Sequence, residues 1–142
     1  AAPAAPANVS FLDLDLDLGE LAGRAAWALD PGQGDEAARF AVYFAEDADG
    51  TNRSLVGTTS GNEDQLDLPA DTALGSFTHL LVYLLSNFSE QEPAGVSLLS
   101  DISASVSAVA FVDQDLDGGD LGGVVTWQAP ADDSQIVSFH VY

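Results

Sequence analysis

Residues 9–27 read VSFLDLDLDLGELAGRAAW, and residues 109–127 read VAFVDQDLDGGDLGGVVTW. The two stretches lie one hundred residues apart and are identical at ten positions, and further along the FAVY of residues 40–43 returns as FHVY at residues 139–142. A repeat of this period indicates tandem copies of one folding unit. We therefore expect an Ala/Pro linker at residues 1–7, a complete repeat at residues 8–103 and the first three strands of a second repeat at residues 104–142.

Composition limits the classes of partner. The chain has 142 residues, of which 23 are acidic and three are basic, and its formal charge is −20. Such a charge repels nucleic acid and anionic membrane surfaces, so no nucleic-acid partner is expected. Hydrophobic residues make up 46% of the chain and occur in short clusters, which predicts a folded, soluble protein. No apolar run approaches the length of about 18 residues that could span a bilayer, so no membrane insertion is expected.

Short apolar segments separated by turn residues predict an all-β fold. A helix over residues 72–87 is the main alternative, but Gly75 and the adjacent Val82 and Tyr83 favour a strand there. Seven strands in about one hundred residues are typical of a β-sandwich. The predicted strands are residues 9–12, 21–29, 39–45, 54–58, 65–68, 77–85 and 95–99.

The spacing of the aromatic residues carries a resemblance to a known family. Gly-x-x-x-Trp occurs at residues 23–27 and 123–127, and each copy is followed by Phe-x-Val-Tyr. This pattern resembles fibronectin type III modules, and WQAPAD at residues 127–132 is similar to the family's Trp-x-x-Pro loop. The amino-acid sequence also resembles that of long tandem repeat arrays in surface proteins of aquatic protists. The resemblance implies seven-stranded immunoglobulin/fibronectin III-like sandwiches with Trp27 in the core, and it offers no enzymatic activity that could be carried over to this chain.

The chain departs from fibronectin type III modules in its two acidic segments, residues 13–20 and 113–120. As a strand, DLDLDL would place its carboxylates on one face and its leucines on the other. In the second copy Gln114 and Gly118 stand in the places of Leu14 and Leu18, so the apolar face is lost while the acids are kept. This favours an oxygen-rich loop that binds a hard cation such as Ca²⁺. It is not an EF-hand, because Arg24 or Val124 replaces the twelfth-position Glu. A solvated acidic loop, or general adaptation to strong salt, remains the alternative. The candidate ligands are Asp13, Asp15, Asp17, Glu20, Asp113, Asp115, Asp117 and Asp120.

Three sequons indicate where the protein is located. Asn8, Asn52 and Asn87 each begin an Asn-x-Ser acceptor sequence, and only one other asparagine occurs in the chain. We therefore expect a secreted or cell-surface chain that carries N-linked glycans. Sequons also collect in polar turns, which is the alternative explanation.

Catalytic patterns are not found in the sequence, so an enzyme is not expected. His79 and His140 fall in strand patterns, and nucleophile elbows and phosphate-binding loops are missing. We expect instead a structural repeat of an extracellular, glycosylated filament that is stiffened by calcium. Its partners would be neighbouring copies arranged head to tail, with strand complementation as one means of polymerisation. The alternative is a cell-surface adhesion module that binds glycan or another cell.

Overall fold

The computed structural model describes residues 5–28 and 39–142, and the strands in these ranges form three antiparallel sheets. The chain divides into two compact units, Ala1–Ile102 (unit 1) and Ser103–Tyr142 (unit 2). The described ranges contain no helix, which confirms the all-β prediction for them. It follows that no helix within them is long and apolar enough to cross a membrane. The predicted strand end at Leu29 lies outside the described residues.

Unit 1 contains a three-stranded and a four-stranded sheet. The first has the strand order β1-β2-β5 and the second the order β4-β3-β6-β7. Residues 72–87, for which a helix was the alternative, contain the end of β5, a turn and β6. The strands are β1 (Ala7–Phe11), β2 (Glu20–Ala28), β3 (Arg39–Ala45), β4 (Ser54–Ser60), β5 (Gln65–Ala73), β6 (His79–Leu85) and β7 (Glu90–Leu98).

The core of unit 1 lies between these sheets, an arrangement consistent with a β-sandwich. Alternate residues of a strand point to the same face, so Phe40, Val42 and Phe44 of β3 share one side. They lie opposite Leu84, Val82 and Leu80 of β6, respectively. Side chains of the three-stranded sheet complete the cluster, and the Trp27 ring lies 5.4 Å from that of Phe40. The members of the core are Leu21, Ala25, Trp27, Phe40, Val42, Phe44, Leu68, Leu80, Val82 and Leu84.

The outer face of the four-stranded sheet is also partly covered. The Arg53 guanidinium lies 4.4 Å from the ring centroid of Tyr43 and 4.7 Å from that of Tyr83. Arg53 also pairs with Glu90, which accepts a hydrogen bond from the Tyr43 hydroxyl. The aromatic rings and the long arginine stem shield the outward side of β3 and β6. Both faces of these strands are thus covered, which accommodates the nearly continuous apolar sequence that follows their first residues, Arg39 and His79.

Unit 2 repeats the β1–β2 pairing of unit 1. Its strands are β8 (Ser107–Phe111) and β9 (Val125–Gln128), and Phe111 lies opposite Val125 as Phe11 lies opposite Ala25. Residues 139–142 correspond to β3 but are not in a strand. In unit 1 both edges of β3 are hydrogen-bonded, by β4 and by β6. Among the described residues of unit 2, no strand takes either place.

Candidate functional site

The first acidic loop, residues 12–20, connects β1 to the first residue of β2 and is anchored by Asp13. The Asp13 side chain is 1% exposed. Its Oδ1 accepts hydrogen bonds from the backbone N–H groups of Asp15 (3.0 Å) and Ala22 (3.1 Å). Its Oδ2 accepts a third, from the N–H of Ile102 at 2.8 Å. Asp13 therefore holds the loop together and fixes the chain segment that follows β7.

Two glycines, one in the loop and one in β2, allow the backbone conformation of this region. Gly19 has φ +86°, and its N–H donates to Oδ2 of Asp101 at 2.8 Å. Gly23 has φ +138°, and a Cβ there would lie 2.5 Å from the carbonyl oxygen of Leu12. A side chain at position 23 would thus face both an unfavourable backbone conformation and a collision with backbone. The residue pair Asp101–Ile102 is in this way bound to the loop at both ends.

Three carboxylates of the loop gather on its outer side. One oxygen each from Asp15, Asp17 and Glu20 lies within 4.8 Å of the others. Asp15 is held in place because its two oxygens accept the N–H groups of Asp71 (2.9 Å) and Asp17 (3.0 Å). These two bonds, that from Asp71 above all, lower the pKa of Asp15. A carboxylate oxygen has two lone pairs, so the bound oxygens can still accept a cation.

Electrostatics at the cluster favour a bound cation. The pKa of Glu20 is raised, first by desolvation and then by the negative charges of Asp71, Asp15 and Asp17. A raised pKa means that the fold disfavours ionised Glu20, so this carboxylate lowers stability as pH rises through that pKa. A cation that binds all three carboxylates would remove the repulsion. The residues Asp15, Asp17 and Glu20 could therefore hold a metal ion, and oxygen-only ligands suit a hard one.

The second acidic loop, residues 112–120, repeats the hydrogen bonds of the first. Oδ1 of Asp113 accepts the N–H groups of Asp115 and Gly122, and Oδ1 of Asp115 accepts that of Asp117. Within the described ranges, however, only the first loop brings three potential metal ligands together. Asp120 is one methylene shorter than Glu20, and Asp71, which positions Asp15, belongs to β5 of unit 1.

The three sequon asparagines of unit 1 are exposed. Asn8 and Asn52 have φ of 52° and 51°, a left-handed conformation that asparagine tolerates better than most residues. Asn8 lies at an irregularity in the β1–β2 pairing, Asn52 in the turn before β4, and Asn87 in the turn between β6 and β7. All three positions are accessible to a modifying enzyme.

Sequence reasoning missed the partners of the first acidic loop. The loop uses Asp71, Asp101 and Ile102, none of which belongs to a repeated motif. Asp101 and Ile102 have no counterparts among the residues that repeat, so periodicity gave no signal for them.

Comparison with known proteins adds no assignment. No protein-family model matches the chain, and neither a curated protein nor a solved structure matches it.

Proposed function

We propose that this chain is a structural module of an extracellular, glycosylated filament, built from fibronectin type III-like repeats in tandem. Two features support the repeat type: the pairing of the first, second and fifth strands in one sheet, and the contact of Trp27 with Phe40. The observation that carries the structural role is the bond between Asp13 and Ile102. The acidic loop near the start of the repeat binds Asp101 and Ile102, the last two residues of unit 1, and so fixes the segment with which the repeat ends.

Calcium is the proposed stiffening ion. Asp15, Asp17 and Glu20 are hard oxygen ligands, and Gly19, which binds Asp101, lies between the last two of them. A calcium ion on these carboxylates would order the same loop that holds residues 101–102. Calcium binding is thus coupled to the order of the end of unit 1 through one short segment. A glycan array that showed specific binding would favour the adhesion module instead.

Calcium is expected to raise the melting temperature of unit 1. At one hundred times its dissociation constant, the ion should stabilise the fold by about 2.7 kcal/mol. The double substitution Asp15→Asn plus Asp17→Asn should abolish the increase. The effect should fade as pH falls through the raised pKa of Glu20, because protonation removes a ligand. Differential scanning calorimetry with calcium and with chelator measures both effects.

The matched control for this experiment is Asp115→Asn plus Asp117→Asn. These residues occupy the same places in the second acidic loop, where three ligands are not gathered. The control should retain the calcium response of unit 1. If the parent protein melts at the same temperature with calcium and with chelator, the calcium proposal is wrong.

N-linked glycans are the second expected feature. When the chain is secreted from a eukaryotic cell, glycans should be found on the exposed Asn8, Asn52 and Asn87, and peptide mapping before and after glycosidase treatment would locate them. Asn62, which lies outside a sequon, is the internal control. Three unmodified sequons in the secreted protein would contradict the proposal.

A further inference from the structure

Unit 1 has four edge strands, β1 and β5 in one sheet and β4 and β7 in the other. The edge of a strand carries backbone N–H and C=O groups that can pair with another chain, so proteins commonly cover or interrupt their edges. The strands β1 and β7 lie against each other, and a Cβ at Gly95 of β7 would collide with the carbonyl oxygen of Pro6 and with the Val9 side chain. These two edges therefore cover each other on one side of the unit.

The two remaining edge strands, β5 and β4, differ in how they are interrupted. The strand β5 contains Pro69, the charged Asp67 and Asp71, and an irregularity in its pairing with β2. The strand β4, Ser54–Ser60, contains neither a proline nor a charged residue, and its one irregularity is the unpaired Val56. Among the strands that the structure describes, only β3 pairs with β4. The outer edge of β4 is therefore the edge that is most open to pairing.

An open groove of about 340 Å³ borders this edge. It runs from Thr58 and Thr59 of β4 along the turn to the start of β5. Glu63 and Asp64 line it with exposed carboxylates, and Glu63 is held at the end of β4 because it accepts the backbone N–H of Ser60 at 3.1 Å. No basic residue of the described ranges lines the groove. The open edge is thus accompanied by two carboxylates that form no ion pair in the described part of the chain.

We propose that the outer edge of β4 binds an extended segment of a basic protein, in which lysine or arginine alternates with β-branched residues. Backbone pairing with β4 would supply affinity that does not depend on the partner's side chains. Alternate side chains of the added strand point to the same face. The basic set, on the face towards β5, would reach Glu63 and Asp64. The other set would pack beside Thr58, which lies on the opposite face from the buried Thr59.

Charge favours such a partner over a second copy of this chain. Each copy has a formal charge of −20, so the pairing of two β4 edges would bring two strongly negative molecules together. The chain contains no lysine, and two of its three arginines already pair with carboxylates, Arg24 with Asp67 and Arg53 with Glu90. A copy therefore cannot supply the alternating basic residues. Neither calcium nor a tandem arrangement of repeats is needed for binding at this edge, so the basic partner is independent of the filament role.

Isothermal titration of the whole chain with the capped synthetic peptide TKVKTKVKT is the test. Binding should be saturable, and hydrogen–deuterium exchange in the complex should slow at the backbone amides of Ser54–Ser60 and not at those of Glu90–Leu98. The peptide KKKKTVTVT has the same composition but directs its lysines to both faces, so it should bind about ten-fold more weakly. The peptide TEVETEVET should not bind, because its charge has the same sign as that of the groove.

Glu63→Gln plus Asp64→Asn should weaken the binding of TKVKTKVKT about three- to ten-fold, because both carboxylates face the lysines. The matched control is Asp49→Asn plus Glu92→Gln. It removes the same charge from two exposed residues of a different groove, beside Tyr83, and should leave the affinity unchanged.

The absence of saturable binding up to millimolar peptide would overturn the proposal. So would binding that leaves the exchange of Ser54–Ser60 unchanged, or equal weakening in the two double variants, since either result would mean that charge alone attracts the peptide. Protection of β4 by self-association without peptide, detected by sedimentation, would assign the edge to a second copy instead. None of these outcomes affects the calcium experiment, because that experiment measures the melting of unit 1.

Discussion

Phe40→Ala is expected to lower the free energy of unfolding of unit 1 by about 3–5 kcal/mol. The ring is 2% exposed, contacts Trp27 of the three-stranded sheet and lies beside Leu84 of the neighbouring strand β6. Its removal leaves a cavity between the two sheets, and hydrogen bonds on both edges of β3 fix the backbone at this position. The neighbours therefore cannot close the space without breaking pairing.

Urea unfolding in a Trp127→Phe background measures this effect, because Trp27 is then the only tryptophan and reports unit 1. Phe88→Ala is the matched control. It removes the same side chain from a residue of unit 1 that is 98% exposed, and should change stability by no more than about 0.5 kcal/mol. Equal losses in the two variants would show that Phe40 is not part of a packed core.

Asp13→Asn is expected to lower the stability of unit 1 by about 3 kcal/mol, the combined cost of weakened charged hydrogen bonds and of a buried donor without an acceptor. The carboxylate accepts three backbone N–H groups, two at Oδ1 and one at Oδ2. An amide can present its oxygen to only one side, so its NH₂ group must face at least one N–H. Because that site is buried, water cannot relieve the conflict.

The control for this variant is Asp17→Asn, measured in chelator. It makes the same chemical change and removes the same charge from the same loop, but its side chain is exposed. Chemical denaturation should place Asp17→Asn within about 0.5 kcal/mol of the parent. If both variants behave alike, net charge and not the buried hydrogen bonds governs the stability of the loop.

The comparison of Asp13→Asn with Asp17→Asn separates residues that look equivalent in the sequence. Asp13, Asp15 and Asp17 alternate regularly and were all expected to be metal ligands. In the structure, Asp13 faces inward to backbone N–H groups, while Asp15 and Asp17 join Glu20 outside. Alternation predicts two faces only where the chain is a strand, and here the chain is a loop. Its turns decide the direction of each carboxylate.

The sequence alone indicated the all-β fold, the position of the acidic loop and the core pattern of unit 1. These features follow from local rules: apolar residues cluster where strands are buried, and Gly and Asp mark turns. Phe40, Val42 and Phe44 were readable as one buried face because a strand repeats every two residues.

Only the tertiary structure decided the partners of the acidic loop. Asp101 and Ile102 contact residues that are more than eighty positions earlier in the chain. No local pattern encodes such a pairing, because it depends on where the return of β7 brings the backbone.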